Sequence, residues 1–194
     1  MLGYSPVQAG LAFLPFTAGI IIGAGLAQQL VAKLGAREVP LIGMGIAVVG
    51  LLLFLRLQPG ASYVTGLLPG MVLVSIGMGL TFVPITLIAT SGVPRDDAGL
   101  ASGLYNTSQQ IGGALGLAVL STLAASATST ALADVEGKPT AADQAQALVD
   151  GFHVAWLGSA IVVAAGAGFL LLLLRRQDVV AVGAGEGEPA LEAA

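Results

Sequence analysis

The stretch AGLASGLYNTSQQIGGALGLAVL, residues 98–120, decides how this chain folds. It contains no charged residue, and its small and apolar side chains surround a run of polar residues at 106–110. A helix of roughly 20 apolar residues is long enough to cross the hydrocarbon core of a bilayer. The polar run therefore needs an explanation, because unpaired carboxamides are costly in hydrocarbon.

The composition of the whole chain points to the same environment. Hydrophobic residues make up 56% of the 194 residues, charged residues make up 9%, and the mean hydropathy is +0.92. A soluble domain carries about 25% charged residues. Because only helices and closed barrels satisfy their backbone in lipid, the long charge-free runs predict an all-α integral membrane protein. Five transmembrane helices are expected, at about 8–33, 38–57, 62–91, 97–125 and 150–175.

The remaining segments are predicted to lie outside the bilayer. Residues 126–149 are expected to form a polar outer loop, and residues 178–194 a disordered cytoplasmic tail. Within the loop, Thr140 and Asp143 have the spacing of a capping box that opens a helix toward the fifth span.

The basic residues predict the orientation of the chain, because cytoplasmic loops hold the excess of Lys and Arg. Five of the seven lie on one side of the predicted spans, namely Lys33, Arg37, Arg95, Arg175 and Arg176. The N-terminus is then outside, although no basic region or cleavage site marks a signal peptide. We therefore interpret Met1 as an internal residue that follows earlier spans.

The polar side chains of the fourth span share one helix face. At 100° per residue, Gln109, Gln110 and Gly113 fall within about 60° of Asn106, with apolar residues opposite. Two interpretations follow. The amides bond a neighbouring helix, at roughly 0.6–2 kcal/mol per contact, or they line an aqueous cavity.

Several kinds of chemistry have no candidate residues. The chain has no cysteine, and no carboxylate lies inside a predicted span. We predict no catalytic residue, no metal ligand, no cofactor and no nucleic-acid partner, so the protein is not expected to be an enzyme. Pro15, Pro69 and Pro84 lie within spans and are expected to bend them.

The residues also resemble a known family. The segments GYSPVQAGLAFLPFTAGIIIGAGLA (3–27), GVPRDDAGLASGLYNTSQQIGGALG (92–116) and ALVDGFHVAWLGSA (147–160) closely resemble the C-terminal part of major facilitator superfamily transporters. They look like the fourteen-span drug:proton antiporter branch, EmrB/QacA-type. The resemblance implies that these are the last five of fourteen spans and that the fourth borders the central cavity. It also assigns Lys33, Gly35 and Arg37 to a cytoplasmic loop signature, with Ala32 where an acidic residue is usual.

The resemblance implies part of a secondary active transporter in the bacterial cell membrane. Such a protein would export small lipophilic or amphipathic molecules by proton antiport with alternating access, and its proton-coupling residues would lie in the N-terminal part, outside this sequence. Its partners would be the lipid bilayer and the substrate. The alternative is a non-transporting membrane scaffold or subunit, in which polar and glycine stripes serve helix association alone.

Overall fold

The structure is a computed structural model that describes residues 4–90, 93–135 and 137–173. In chain order, the helices of these ranges are α1 (Pro6–Ala12), α2 (Leu14–Leu34), α3 (Glu38–Phe54), α4 (Leu68–Thr90), α5 (Ala98–Ala133) and α6 (Ala141–Leu173). Four helical segments are long and apolar enough to cross a membrane: Pro6–Leu34, Tyr63–Thr90, Ala98–Ala133 and Ala141–Leu173. The shorter α3 is also apolar. The prediction of an all-α, multi-span chain is confirmed.

The prolines mark where the spans are irregular. Pro15 lies in the first turn of α2, and the helical segment breaks two residues earlier, at Phe13. Pro69 follows a π-helical turn at Tyr63–Leu67, and Pro84 lies inside α4. Because proline has no N–H, Pro84 removes one backbone hydrogen bond from the interior of α4, whereas Pro15 lies in the first turn of α2, where an N–H has no partner within the helix. A break thus precedes Pro15 and a π-helical turn precedes Pro69, while the bending of the spans stays a prediction.

Helix α4 lies at the centre of the bundle. It packs against α2 and α3, α6 packs against α3, and α5 packs against α6. Glycines allow α2, α3 and α4 to approach one another closely. An ideal Cβ on Gly23 of α2 would lie 2.5 Å from the carbonyl oxygen of Ile76 in α4. One on Gly77 of α4 would lie 2.5 Å from the carbonyl oxygen of Gly43.

Hydrogen bonds hold α6 to the rest of the bundle at both ends. Near its start, His153 Nε2 donates to the carbonyl oxygen of Leu57 over 3.0 Å, and the ring of Trp156 lies 5.0 Å from that of Phe54. Near its end, Arg37 Nη2 donates to the carbonyl oxygen of Leu171 over 2.9 Å. The loop between α2 and α3 and the end of α6 therefore lie at one end of the bundle, in agreement with the shared side that the basic residues predict for them.

The predicted outer loop at 126–149 is wrong at its start, because residues 126–133 are helical. Helix α5 continues to Ala133 and α6 begins at Ala141, so the non-helical connection lies between them. The predicted capping box is confirmed, since Asp143 accepts from the backbone N–H of Thr140 over 2.8 Å and Thr140 Oγ1 accepts from the N–H of Asp143 over 3.3 Å. The predicted tail at 178–194 lies outside the described residues.

The hydroxyls of α5 explain why its polar end stays helical. Thr128 Oγ1 and Ser129 Oγ donate to the carbonyl oxygens of Ala124 and Ala125, over 2.9 and 2.8 Å. These bonds lie within the helix itself, so the hydroxyls do not draw the chain out of helical conformation. Alanine, the strongest helix former, occupies most of the intervening positions.

Candidate functional site

Helix α5 has the least covered surface of the long helices. None of its residues, all of which the structure describes, is buried. Its second half packs on α6, where an ideal Cβ on Gly158 would lie 2.7 Å from Leu120 and one on Gly151 would meet Thr128. Its first half, which carries the predicted polar face, has no such cover from α6 at its glycines, since an ideal Cβ on Gly103, Gly112 or Gly113 meets nothing within 4 Å.

The structure places the four predicted site residues on one helix but in two surroundings. Asn106, Gln110 and Gly113 are exposed, and neither amide is hydrogen-bonded by another described residue. Gln109 is half-buried and is hydrogen-bonded. The shared face follows from the continuous helix, whereas Gln109 differs from the other three because it bonds Tyr105, which contacts α4.

Gln109 belongs to a chain of hydrogen bonds that links α5 to α4. Its Nε2 donates to the hydroxyl of Tyr105 over 2.6 Å. That hydroxyl lies 2.9 Å from Thr86 Oγ1, which in turn donates to the carbonyl oxygen of Phe82 over 2.8 Å. The polar run of α5 is therefore joined to a neighbouring helix through a single amide, and the other two amides stay free of that contact.

Sequence reasoning missed Tyr105 and Thr86. Tyr105 directly precedes the polar run at 106–110. The available signal was its spacing from Gln109, because residues four apart lie next to each other on a helix surface. The identity of the partner on α4 had no signal, since Thr86 carries a hydroxyl that is equally suited to bonding its own helix, as it also does here.

Apolar side chains extend the same surface in two directions. On α4, Met78 and Phe82 lie two turns and one turn before Thr86, on nearby faces of the helix, and are 45% and 54% exposed. On α5, Leu117 follows Gly113 by one turn and is 72% exposed. Uncharged hydrogen-bonding groups thus lie beside soft, adaptable apolar side chains, of which methionine is the most flexible.

This surface can bind by hydrogen bonding and apolar contact. No acidic, basic or histidine side chain occurs in the run 98–133 that carries it. Within the ranges that the structure describes, no three His, Asp or Glu side chains come together in a way that would hold a metal ion. The arrangement suits an uncharged, loosely contoured binding wall.

The predicted loop signature lies at the C-terminal end of α2. Lys33 is exposed in the last turn of that helix. Gly35 ends the helix with φ at 97°, a conformation that L side chains rarely adopt, and its N–H donates to the carbonyl oxygen of Val31. Arg37 reaches the last turns of α6, where its positive charge faces the negative end of the helix dipole.

The chain is similar to several proteins that are named for drug resistance or export. It is 38% identical over 176 residues to the puromycin resistance protein pur8 of Streptomyces alboniger, covering 89% of this chain and 33% of that protein. It is 42% identical over 136 residues to the cephamycin export protein CmcT of Amycolatopsis lactamdurans, covering 70% and 28% respectively. Against the quinolone resistance protein NorB of Staphylococcus aureus, the identity is 32% over 119 residues, covering 61% and 26%.

These similarities cover only part of each relative. The chain spans about a third or less of the length of the curated relatives it matches. The sequence profile of the Major Facilitator Superfamily matches residues 1–117, more than half of the chain. This match, together with the all-helical, multi-span fold, confirms the resemblance found in the sequence. The chain belongs to the Major Facilitator Superfamily of membrane transporters.

Proposed function

We propose that the protein containing this chain exports small lipophilic or amphipathic molecules across the bacterial plasma membrane. The names of its relatives, which refer to puromycin resistance, cephamycin export and quinolone resistance, support export of such compounds. The exposed face of α5 supports a role for this chain in binding them. We propose that the protein alternately exposes its binding site to each side of the membrane and exports its cargo in exchange for protons.

The single observation that carries the proposal is the contrast between two sets of small residues. One set of glycines in α2, α3 and α4, which includes Gly23 and Gly43, is buried in close helix contacts. Glycines of α5 beside the amides, such as Gly113, meet nothing within 4 Å. Small residues therefore serve helix association in the first group, whereas the α5 face has room for a bound molecule. This contrast favours a cavity over a scaffold held together by amides.

A cargo molecule would use both parts of this surface. Its polar group would hydrogen-bond Asn106, Gln109 or Gln110, with the backbone at Gly113 open to close approach. Its apolar body would lie against side chains such as Phe82 and Leu117. The run 98–133 has no Asp, Glu, His, Lys or Arg, and we propose that proton coupling belongs to the N-terminal part outside this sequence.

The irregular points of the spans supply a route for movement. The break at Phe13, the π-helical turn at Tyr63–Leu67 and Pro84 of α4 interrupt regular backbone hydrogen bonding. Transporters of this kind expose a central site alternately to each side by moving one bundle against another. We propose that these three points absorb part of that movement.

An efflux assay tests this function. The intact protein is expressed in bacteria that lack their main drug exporters, and accumulation of a lipophilic fluorescent dye is measured with and without an uncoupler. We expect lower accumulation with the protein, and recovery of accumulation after uncoupling. The double variant Asn106→Leu with Gln110→Leu should export less, whereas the matched variant Ile111→Ala with Leu115→Ala, on the opposite face, should export normally.

Two other outcomes would contradict the export function or the role of the α5 face. If the protein changes dye accumulation for none of a panel of lipophilic dyes, the export function is wrong and a scaffold role is favoured. If both double variants export as the parent protein does at equal membrane levels, the protein is an exporter but the α5 face is not its binding wall.

A further inference from the structure

We propose that Tyr105 is a positioning residue that selects cargo bearing a hydrogen-bond donor. It does so by fixing the Gln109 amide with its N–H₂ group turned inward and its carbonyl oxygen Oε1 turned toward the cavity. The inference rests on the proposed function, since it assigns the kind of molecule that the α5 face accepts.

The direction of the hydrogen bonds follows from counting their protons. Thr86 has one hydroxyl proton, and it is donated to the carbonyl oxygen of Phe82. The 2.9 Å contact between Thr86 and Tyr105 must then use the proton of Tyr105, with Thr86 Oγ1 as the acceptor. Tyr105 has no second proton, so in its 2.6 Å contact with Gln109 it can only accept. The amide nitrogen of Gln109 must therefore face Tyr105.

This assignment leaves one group of Gln109 for a ligand. No described residue donates to Gln109 Oε1, and its neighbours on the exposed side are Asn106 and Gln110. An isolated glutamine can rotate its amide by half a turn and offer either a donor or an acceptor. Anchored at Tyr105, Gln109 offers an acceptor, and turning it over would place its oxygen against a hydroxyl that has no proton to give.

The two apolar neighbours indicate the rest of the cargo. Phe82, whose carbonyl oxygen ends the hydrogen-bond chain, has a side chain that is 54% exposed, one turn from Thr86. Gln109 and Phe82 thus lie on α5 and α4, the two helices that this series of hydrogen bonds joins. A molecule that fits both has a hydroxyl or N–H group beside an aromatic or aliphatic body.

Transport of a matched pair of probes tests the inference. The probes are a lipophilic fluorescent phenol and its methyl ether, which differ in one donor, and KM and maximal rate are measured for the intact protein in inverted membrane vesicles. We expect the parent protein to have a KM about fivefold lower for the phenol, as one net hydrogen bond provides. Maximal rates for the two probes should be similar.

Two variants should remove this preference by different routes. In Thr86→Val, the proton of Tyr105 is released and bonds Gln109 Oε1, which turns the amide over and takes its acceptor away from the cavity. In Tyr105→Phe, the amide loses its anchor and rotates. Both should bring the KM ratio close to one, while the matched control Thr86→Ser, which keeps the hydroxyl, should retain the preference.

The outcomes separate this inference from the function beneath it. If the parent protein exports none of the dye panel described above, the proposed function fails. If it exports those dyes but does not transport the phenol, export stands and the inference is overturned. If it transports both with equal KM, or if Tyr105→Phe raises both KM values together and leaves their ratio unchanged, export stands and the positioning role of Tyr105 is overturned. The Tyr105→Phe result decides alone if Thr86→Val does not reach the membrane.

Discussion

The hydroxyl of Tyr63 donates a 2.6 Å hydrogen bond to the carbonyl oxygen of Ala12. Both residues lie where a span is irregular: Ala12 ends α1 just before the break at Phe13, and Tyr63 begins the π-helical turn that precedes α4. The N–H of Phe16, which would bond Ala12 in a continuous helix, instead bonds the carbonyl oxygen of Phe13 over 3.1 Å. One side chain from the third span therefore satisfies a carbonyl group that the break in the first span releases.

Tyr63→Phe removes this bond and keeps the ring. We expect the free energy of unfolding to fall by about 0.5–1.5 kcal/mol, because the carbonyl of Ala12 loses its partner in a partly buried place. Reversible denaturation of the purified intact protein in mixed micelles measures the change. The control is Tyr4→Phe, since Tyr4 contacts the ring of Tyr63 at a centroid distance of 6.5 Å but makes no such bond among the described residues. Equal effects of the two substitutions would count against the role of the Tyr63 hydroxyl.

The contact between α2 and α4 depends on Gly23. An added methyl group would lie 2.5 Å from the carbonyl oxygen of Ile76, a backbone atom that cannot turn aside. Gly23→Ala should therefore separate the helices and lower the free energy of unfolding by about 1–3 kcal/mol, the usual cost of overpacking. Gly25→Ala, two residues further on the same helix, meets nothing within 4 Å and should be neutral or slightly stabilising. Denaturation of both variants under one condition makes the comparison, and a loss at Gly25 equal to that at Gly23 would contradict the packing described.

The sequence predicted the fold well where one local property determines it. Charge-free runs located the membrane helices, and the spacing of Thr140 and Asp143 located the start of α6. The prediction of a loop was wrong at 126–133, where polar composition suggests a loop although the serine and threonine hydroxyls bond their own helix. Polar composition indicates that a segment lies in water, but it does not distinguish a loop from a helix that extends past the bilayer.

The site was harder to predict because it depends on neighbours. Helical periodicity placed Asn106, Gln109 and Gln110 on one face, but it carries no information about which helix covers part of that face. The contact between Tyr105 and Thr86 separates Gln109 from the other amides, and it joins residues on two helices. Such a pairing is set by the packing of α4 and α5, which no single stretch of sequence specifies.

The proposed binding wall requires that water reach the amides of α5. Cysteine labelling measures this access most directly. The chain has no cysteine of its own, so Asn106→Cys, Gln110→Cys, Ile111→Cys and Leu115→Cys can each be tested in the intact protein, provided that cysteines elsewhere in it are replaced. Membranes are treated with a charged, water-soluble thiol reagent, which reacts with thiolates and therefore requires water around the sulfur.

We expect cysteines at 106 and 110 to react at least about tenfold faster than those at 111 and 115, because a thiol that faces lipid stays protonated and out of reach. Bound cargo should slow the first pair and leave the second pair unchanged. Protection of positions 106 and 110 with and without cargo, or equal labelling of all four positions, would contradict a water-filled binding wall on α5.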